Sequence, residues 1–248
     1  MPNHKKSVDV SFTVPGTPEQ IWDAIATGPG ISAWFTPTTL DPREGGAITF
    51  HLGPEMDSKG TITAWDPPRL FAYEERDWSG DAPPLATEFR IEAQPGGEPC
   101  KVRIVHSLFT DRDDWDDQLA SMEGGWGAMF GVLDLYLRDF AGAPGVCIRP
   151  TVPFAGDLEA GWRKLDAAVE RDYASSVVRR SSGSKNREAL LRLVRDEGTV
   201  ALISAYDWGG KISLVACVYF YGQGGAAAAE RAEPHWQAWL QAAAATGN

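Results

Sequence analysis

The chain has little of what staples or metallates a protein: three cysteines and four histidines in 248 residues. Cys100, Cys147 and Cys217 lie far apart, are odd in number and form no CxxC pair, so a disulfide framework or zinc knuckle is not expected and all three read as small buried thiols. His4, His51, His106 and His235 show no local metal-ligand spacing, and the expectation is no metal and no cofactor. Long apolar runs are also missing. Leu214–Tyr221 falls far short of the roughly 18–20 residues of a membrane helix, so no bilayer span is expected. Near the start, Lys5 and Lys6 lead straight into alternating Val8, Val10, Phe12 and Val14, a strand rather than the core of a secretory leader, and a cytoplasmic location is expected.

Positive charge is scarce. Lys+Arg number 23 against 34 Asp+Glu, a net −11 that repels phosphate backbones and anionic lipid and argues against nucleic acid or membrane as partners. The imbalance sits in one part: residues 1–141 hold 11 basic against 23 acidic side chains, and residues 142–248 hold 12 against 11. Catalytic signatures are absent as well, with no GxSxG, P-loop or HExxH. The glycines of "GGWGAMFG" sit inside a helical pattern, without the strand and turn that would aim backbone donors at a dinucleotide.

What is present is a globular composition, 43% hydrophobic, with a border at Ala141-Gly142-Ala143-Pro144-Gly145, where small residues and a proline end a long helical pattern. The expected domains are therefore 1–141 and 142–248. In the first, Thr17-Pro18-Glu19-Gln20 is a capping-box helix start, Ile21, Trp22 and Ile25 form the buried side, Gly28 ends the helix, and a short helical turn covers 31–35. Strands are expected at 46–52, 59–66, 69–76, 85–94 and 101–110, with connections short enough for an antiparallel meander. On the last of these, His106 has the parity of Val102, Ile104 and Leu108 and faces inward, whereas His51 has the opposite parity to Phe50 and faces solvent.

A long helix closes this half: Trp115, Leu119, Met122, Trp126, Phe130, Leu133, Leu137 and Phe140 recur at spacings of 4, 3, 4, 4, 3, 4 and 3. The acidic run from Asp111 to Asp117 suits its N-terminal dipole. Beside the large residues runs a small stripe, Ala120, Gly124, Gly127 and Gly131, and with Gly125 the glycines sacrifice about 1 kcal/mol each of helix propensity. Two explanations stand: another backbone packs closely there, or the missing side chains leave an enclosed space for a ligand. Trp22, Trp34, Trp65, Trp115 and Trp126 supply either core or the aromatic wall of an apolar pocket. The second half reads as a strand at 147–152, a helix carrying Leu158, Trp162, Leu165, Val169 and Tyr173, a helix over 186–197, apolar strands at 199–206 and 211–221, and an alanine-rich terminal helix.

The stretches "TPEQIWDAIATGPGISAWF", "GGAITFHL", "KGTITAWDPPRLFAYEE" and "GGWGAMFGVLDLYL" resemble, in order, the signature segments of the SRPBCC (START/Bet v 1-like) superfamily, in the branch related to the Hsp90 ATPase activator. The resemblance covers residues 7–140 and implies an α+β helix-grip fold: a curved antiparallel sheet around a long C-terminal helix, with a cavity between them. It implies binding of a hydrophobic, aromatic or polyketide-like small molecule, with Phe50, Tyr73, Phe89, His106, Met122, Trp126, Met129 and Phe130 as walls and Gly124, Gly127 and Gly131 leaving the room. Other implied roles are self-sacrificing resistance to an enediyne, in which a glycine of this helix gives up a hydrogen atom and the chain is cleaved, a cyclase or dehydratase resting on His106 with Tyr73, and a co-chaperone. No catalytic residue is assigned. Residues 142–248 lie outside the resemblance, and three uses stand open for them: a cap, a reduced second helix-grip or a homodimer contact.

Overall fold

A computed structural model of the chain describes residues 5–52, 57–76, 78, 82–96, 99–110, 116–193 and 199–245, with the side chains of 5, 109 and 116–124 left aside. Trp115 and the side chains of the acidic run Asp111–Asp117 lie outside the described residues, as do those of Met122 and Gly124. Two compact units form, one from Met1–Glu123 with Tyr136–Gly142, the other from Gly124–Leu135 with Ala143–Asn248.

The first unit runs β1 (Lys5–Val14), α1 (Pro18–Ala26), α2 (Gly28–Ser32), β2 (Thr38–Leu40), β3 (Ala47–His51), β4 (Asp57–Asp66), β5 (Leu70–Glu75), β6 (Leu85–Ala93) and β7 (Cys100–Phe109), and then enters α3 (Asp116–Asp139). Its seven strands are ordered β1-β7-β6-β5-β4-β3-β2, each antiparallel to its neighbours, so the first strand lies beside the last. The capping box forms: Thr17 Oγ1 accepts from the Gln20 amide at 3.3 Å, and Gln20 Oε1 accepts from the Thr17 amide at 2.9 Å. The helix ends at Thr27 rather than at Gly28. Thr27 is extended, with φ −120° and ψ 148°, and its hydroxyl accepts from the Gly30 amide at 3.0 Å to start α2. Gly30 follows because a Cβ there would fall 1.9 Å from the Asp23 carbonyl oxygen. Trp22 stands edge-on to Trp65 and Phe71, at 5.1 and 6.4 Å, and Trp34 donates its indole N–H to the Ala24 carbonyl at 2.9 Å. Trp22 and Trp34 are core, and Trp65 is half-buried beside Trp22.

The second unit runs β8 (Gly145–Ile148), β9 (Thr151–Phe154), α4 (Leu158–Tyr173), β10 (Val177–Ser182), β11 (Asn186–Leu193), β12 (Thr199–Trp208), β13 (Lys211–Tyr221) and α5 (Gly225–Ala245). Strand order is β10-β11-β12-β13-β8, with β9 also against β13. Again the opening strand pairs with the last, a helix follows the opening strand, a meander returns and a helix closes. One face packs a dry core, in which Leu165, Val169, Leu191, Ile203, Leu214, Val218, Trp236 and Leu240 are buried together. On the opposite parity, Leu190 of β11 and Arg179 of β10 lie against Gly131 of α3, and Arg179 donates to the Gly127 carbonyl.

The helix expected over 186–197 is instead the strand β11, described to Leu193. Its run Ala189-Leu190-Leu191 is buried on both faces, so the alternation that marks a half-exposed strand is missing, and pairing with β10 and β12 overrides the helix preference of Leu, Arg and Glu. The strand expected at 147–152 is two strands, interrupted at Arg149-Pro150. β2 and β10, which carry no strong apolar pattern, were not expected from sequence.

The helix glycines differ in their surroundings. A Cβ on Gly131 would lie 2.8 Å from Arg179 Nη2 and 2.9 Å from Leu190 Cδ2, whereas at Gly125 and Gly127 it would meet nothing within 4 Å. Gly131→Ala should therefore destabilise by about 1–2 kcal/mol, while Gly127→Ala should stabilise by up to about 1 kcal/mol through helix propensity alone. Urea denaturation of the two variants checks the opposite signs.

Candidate functional site: a polar string on the inward face of the first sheet

Strand register decides which side chains of the first unit share a face. Val8, His106, Thr87, Tyr73 and Ile62 stand directly opposite one another on five consecutive strands, and a neighbouring rank holds Ile104, Phe89 and Phe71. All are buried apart from the walls' outer atoms. Phe50 packs against Tyr73 with ring centroids 5.2 Å apart, Tyr73 against Phe71 at 5.5 Å, and Phe71 stacks on Phe89 at 6.2 Å. The result is an aromatic wall across β3, β5 and β6.

Into this wall are set polar groups that bond to one another. Thr87 Oγ1 lies 2.9 Å from His106 Nδ1, and Tyr73 stands directly opposite Thr87 on the next strand, so three adjacent strands carry one polar row. Beside it the Ser58 hydroxyl donates to Glu75 Oε1. Gly60 makes that possible: it faces Glu75 across β4 and β5, and a Cβ there would come within 3.2 Å of the Glu75 side chain and 2.8 Å of the Glu74 carbonyl.

Burial tunes each group. His106 is 4% exposed, and removal from water lowers its imidazole from 6.5 to about 4, so at neutral pH it is uncharged. Burial raises the Glu75 carboxyl, with the Ser58 hydrogen bond acting against the rise. Burial also raises the Tyr73 phenol well above its usual range, helped by the neighbouring Glu75 charge and opposed by the bond to Thr87. A phenol, a neutral imidazole and a carboxyl that holds its proton more tightly than usual present donors and acceptors with no fixed cation. Such a set suits the carbonyl and hydroxyl groups of an otherwise apolar molecule.

Of the residues expected from sequence, Phe50, Tyr73, Phe89 and His106 are brought onto this one face. Trp126 and Phe130 are buried and meet edge-on at 6.0 Å, and Met129 is half-buried beside them in the stretch of α3 that belongs to the second unit, together with Gly127 and Gly131. Ser58, Glu75 and Thr87 were missed. Their parity with Ile62, Tyr73 and Phe89 was the available signal. His51 lies at the half-exposed rim, with Nδ1 2.9 Å from Asp57 Oδ1. Among the described residues no group of three or more His, Cys, Asp or Glu could hold a metal ion, and no helix is long and apolar enough to cross a membrane.

A seven-stranded antiparallel sheet with paired short helices after its first strand and a long helix after its last is the helix-grip class of α+β protein. The family model described as "Activator of Hsp90 ATPase homolog 1-like protein" matches residues 15–138, half of the chain, and the chain belongs to that family. Among solved structures it is similar to CalU16 from Micromonospora echinospora, at 19% identity and a TM-score of 0.46 over 54% of this chain and 78% of that one. It is similar over nearly its full length to DynU16, a protein of the dynemicin biosynthetic locus, at 12% identity and a TM-score of 0.47, covering 96% of this chain and 97% of that one. The di-domain ARO/CYC BexL of the BE-7585A biosynthetic pathway is similar at 12% identity and a TM-score of 0.46, covering 98% and 100%. Among curated proteins none matches.

The His106 shift has a sign that can be tested. The folded imidazole stays neutral down to about 4 while the unfolded one titrates near 6.5, so its contribution is complete above pH 6.5 and is lost as pH falls toward 4. The loss amounts to about 3 kcal/mol at most. Glu75, shifted upward, contributes in the opposite sense: its share is complete in acid and declines as pH rises through its raised value. Urea denaturation near pH 7 and near pH 4.5 should show an acid-side loss in the parent protein that is much reduced in His106→Leu.

Proposed function

We propose that the first unit binds a hydrophobic small molecule bearing carbonyl or hydroxyl groups, aromatic or polyketide-like in character, against the inward face of its sheet. The observation that carries this reading is the buried row Tyr73, Thr87 and His106, with Thr87 bonded to His106 and the Ser58–Glu75 pair beside it, set in a wall of Phe50, Phe71 and Phe89. An all-apolar face would be simpler to fold, because each buried polar group must be compensated by a well-placed partner. Groups held this way, with protonation shifted by burial, are candidates for a binding site. The aromatic side chains supply area, and the phenol, imidazole and carboxyl fix orientation.

Intrinsic tryptophan fluorescence, titrated with a panel of aromatic polyketides and fatty acids, is the test. Saturable quenching by at least one polyketide is expected, with Kd raised about tenfold in Tyr73→Phe by loss of one hydrogen bond and more in Phe50→Ala. No saturable change with any compound, from a protein whose circular dichroism is native, would remove the proposal.

A second reading, self-sacrificing resistance to an enediyne, is favoured by one observation: the α-carbons of Gly125 and Gly127 have open space where a side chain would be. A carbon-centred diradical would take a hydrogen atom from such an α-carbon, which flanking amides stabilise as a radical, and scission would follow. Intact mass after exposure to an activated enediyne separates the readings, since simple binding leaves the chain whole.

A further inference from the structure

The second unit holds a cluster of nucleophilic groups that ligand binding in the first unit does not use. On the edge strand β8, Cys147 faces Tyr219 of β13, which places Cys217 diagonally across on the same face. The two thiols are thus cross-strand neighbours on adjacent strands. Arg149, next on the same parity, donates from Nε to Cys217 Sγ at 3.3 Å. Access is graded: Cys217 is 3% exposed, Cys147 is half-buried and Arg149 is exposed. The Cys147 thiol also donates to the Ile148 carbonyl at 3.3 Å. A guanidinium on the sulfur is what stabilises a thiolate, and a second thiol on the neighbouring strand is what resolves an oxidised one.

We propose that Cys217 and Cys147 form a peroxide-responsive dithiol, with Cys217 as the attacking thiolate, Cys147 as the resolving thiol and Arg149 as the positioning cation. The oxidant is hydrogen peroxide or a small hydroperoxide, which reaches the pair past Cys147. The Cys217 sulfur bonds to one peroxide oxygen as the O–O bond breaks, and the departing hydroxide takes up a proton and leaves as water. This gives a sulfenic acid. The Cys147 sulfur then attacks the sulfenic sulfur; the S–S bond forms, the S–O bond breaks, and the hydroxyl leaves as water with the proton of Cys147. Two thiols lose two electrons in total, and one peroxide becomes two waters. β8 is four residues long and lies at the sheet edge, so it can shift to bring Cys147 into disulfide geometry with Cys217 without disturbing a strand on its far side.

The groups that bear on Cys217 are Arg149 and Cys147, which favour its thiolate, and burial, which opposes it; together they hold it near 6. Glu188 on β11 and the Tyr219 phenol complete the surroundings. Cys100 serves as an internal control: it is fully buried in the first unit and donates its thiol proton to the Gly16 carbonyl at 3.4 Å.

The test treats the full chain with hydrogen peroxide, alkylates remaining thiols under denaturing conditions, and maps peptides without reduction. A cross-linked Cys147–Cys217 peptide is expected, with Cys100 recovered as the alkylated thiol. Cys147→Ser should stop at a sulfenic acid on Cys217 that dimedone traps, and Arg149→Met should slow oxidation about tenfold at neutral pH by lowering the thiolate fraction. In the unsubstituted protein, the oxidation rate should rise with pH to half its plateau at about 6. That profile needs no variant to fold. The proposal is overturned if Cys147 and Cys217 stay reduced while circular dichroism remains native, or if Cys147 is oxidised in Cys217→Ser as fast as the pair is in the parent.

Discussion

The pairing of an opening strand with a closing strand is the constraint on which both units rest. In the first, β1 meets β7, so Val14 stands opposite Cys100 and Lys5 opposite Phe109. In the second, β8 and β9 meet β13. Contacts of such long sequence separation gain nothing until the intervening loop is closed, so the meander has to form in register before the first strand can be held. Once it is held, register fixes parity, and parity determines which side chains turn inward. His106 reaches Thr87, and Thr87 reaches Tyr73, only because three strands align without a one-residue slip.

The two units share this topology but use their faces differently. The first sets bonded polar groups among phenylalanines. The second fills the face under α4 and α5 with leucine, valine and two tryptophans, Trp236 and Trp239, and the Trp239 indole is satisfied by Asp172 at 2.8 Å. That face has no bonded polar string of the kind found in the first unit among its buried members. Its polar side chains lie on the other parity, where Glu188 bonds Ser181 and where Cys217 meets Arg149. One topology thus supports a face set with buried polar groups and a face of apolar core, a difference made by a handful of inward positions.

Much of the first unit was legible in its sequence. The capping box at Thr17, the alternation of the meander strands and the inward parity of His106 were read from local pattern, because one face is buried and the other wet. Where both faces are buried that contrast disappears, and the stretch 186–197 reads as a helix although it holds the strand β11. The site was half legible: its aromatic members and His106 were named, but Ser58, Glu75 and Thr87 were not. Adjacent Glu74 and Glu75 look alike in sequence. Parity with Phe71 and Tyr73 marks Glu75 as the carboxyl that turns inward, and Gly60 opposite it leaves the room. The glycine stripe of α3 gives a mixed answer, with Gly131 in close packing and Gly125 and Gly127 open.

The strand β10 lies at the edge of its sheet and carries the exposed Val178, with Arg179 and Arg180 on its two opposite faces. Arg180 is tied back to Asp166 and Glu170 of α4, and Arg179 to the Gly127 carbonyl. An unpaired strand edge is a template onto which another chain can add, and bulky anchored cations along it keep a second backbone from approaching in register. The rim that leaves hydrogen-bonding groups open is thereby guarded against cross-β recruitment, which matters for a sheet whose other strands, β11 to β13, would make an amyloid-competent core if the guard were stripped away.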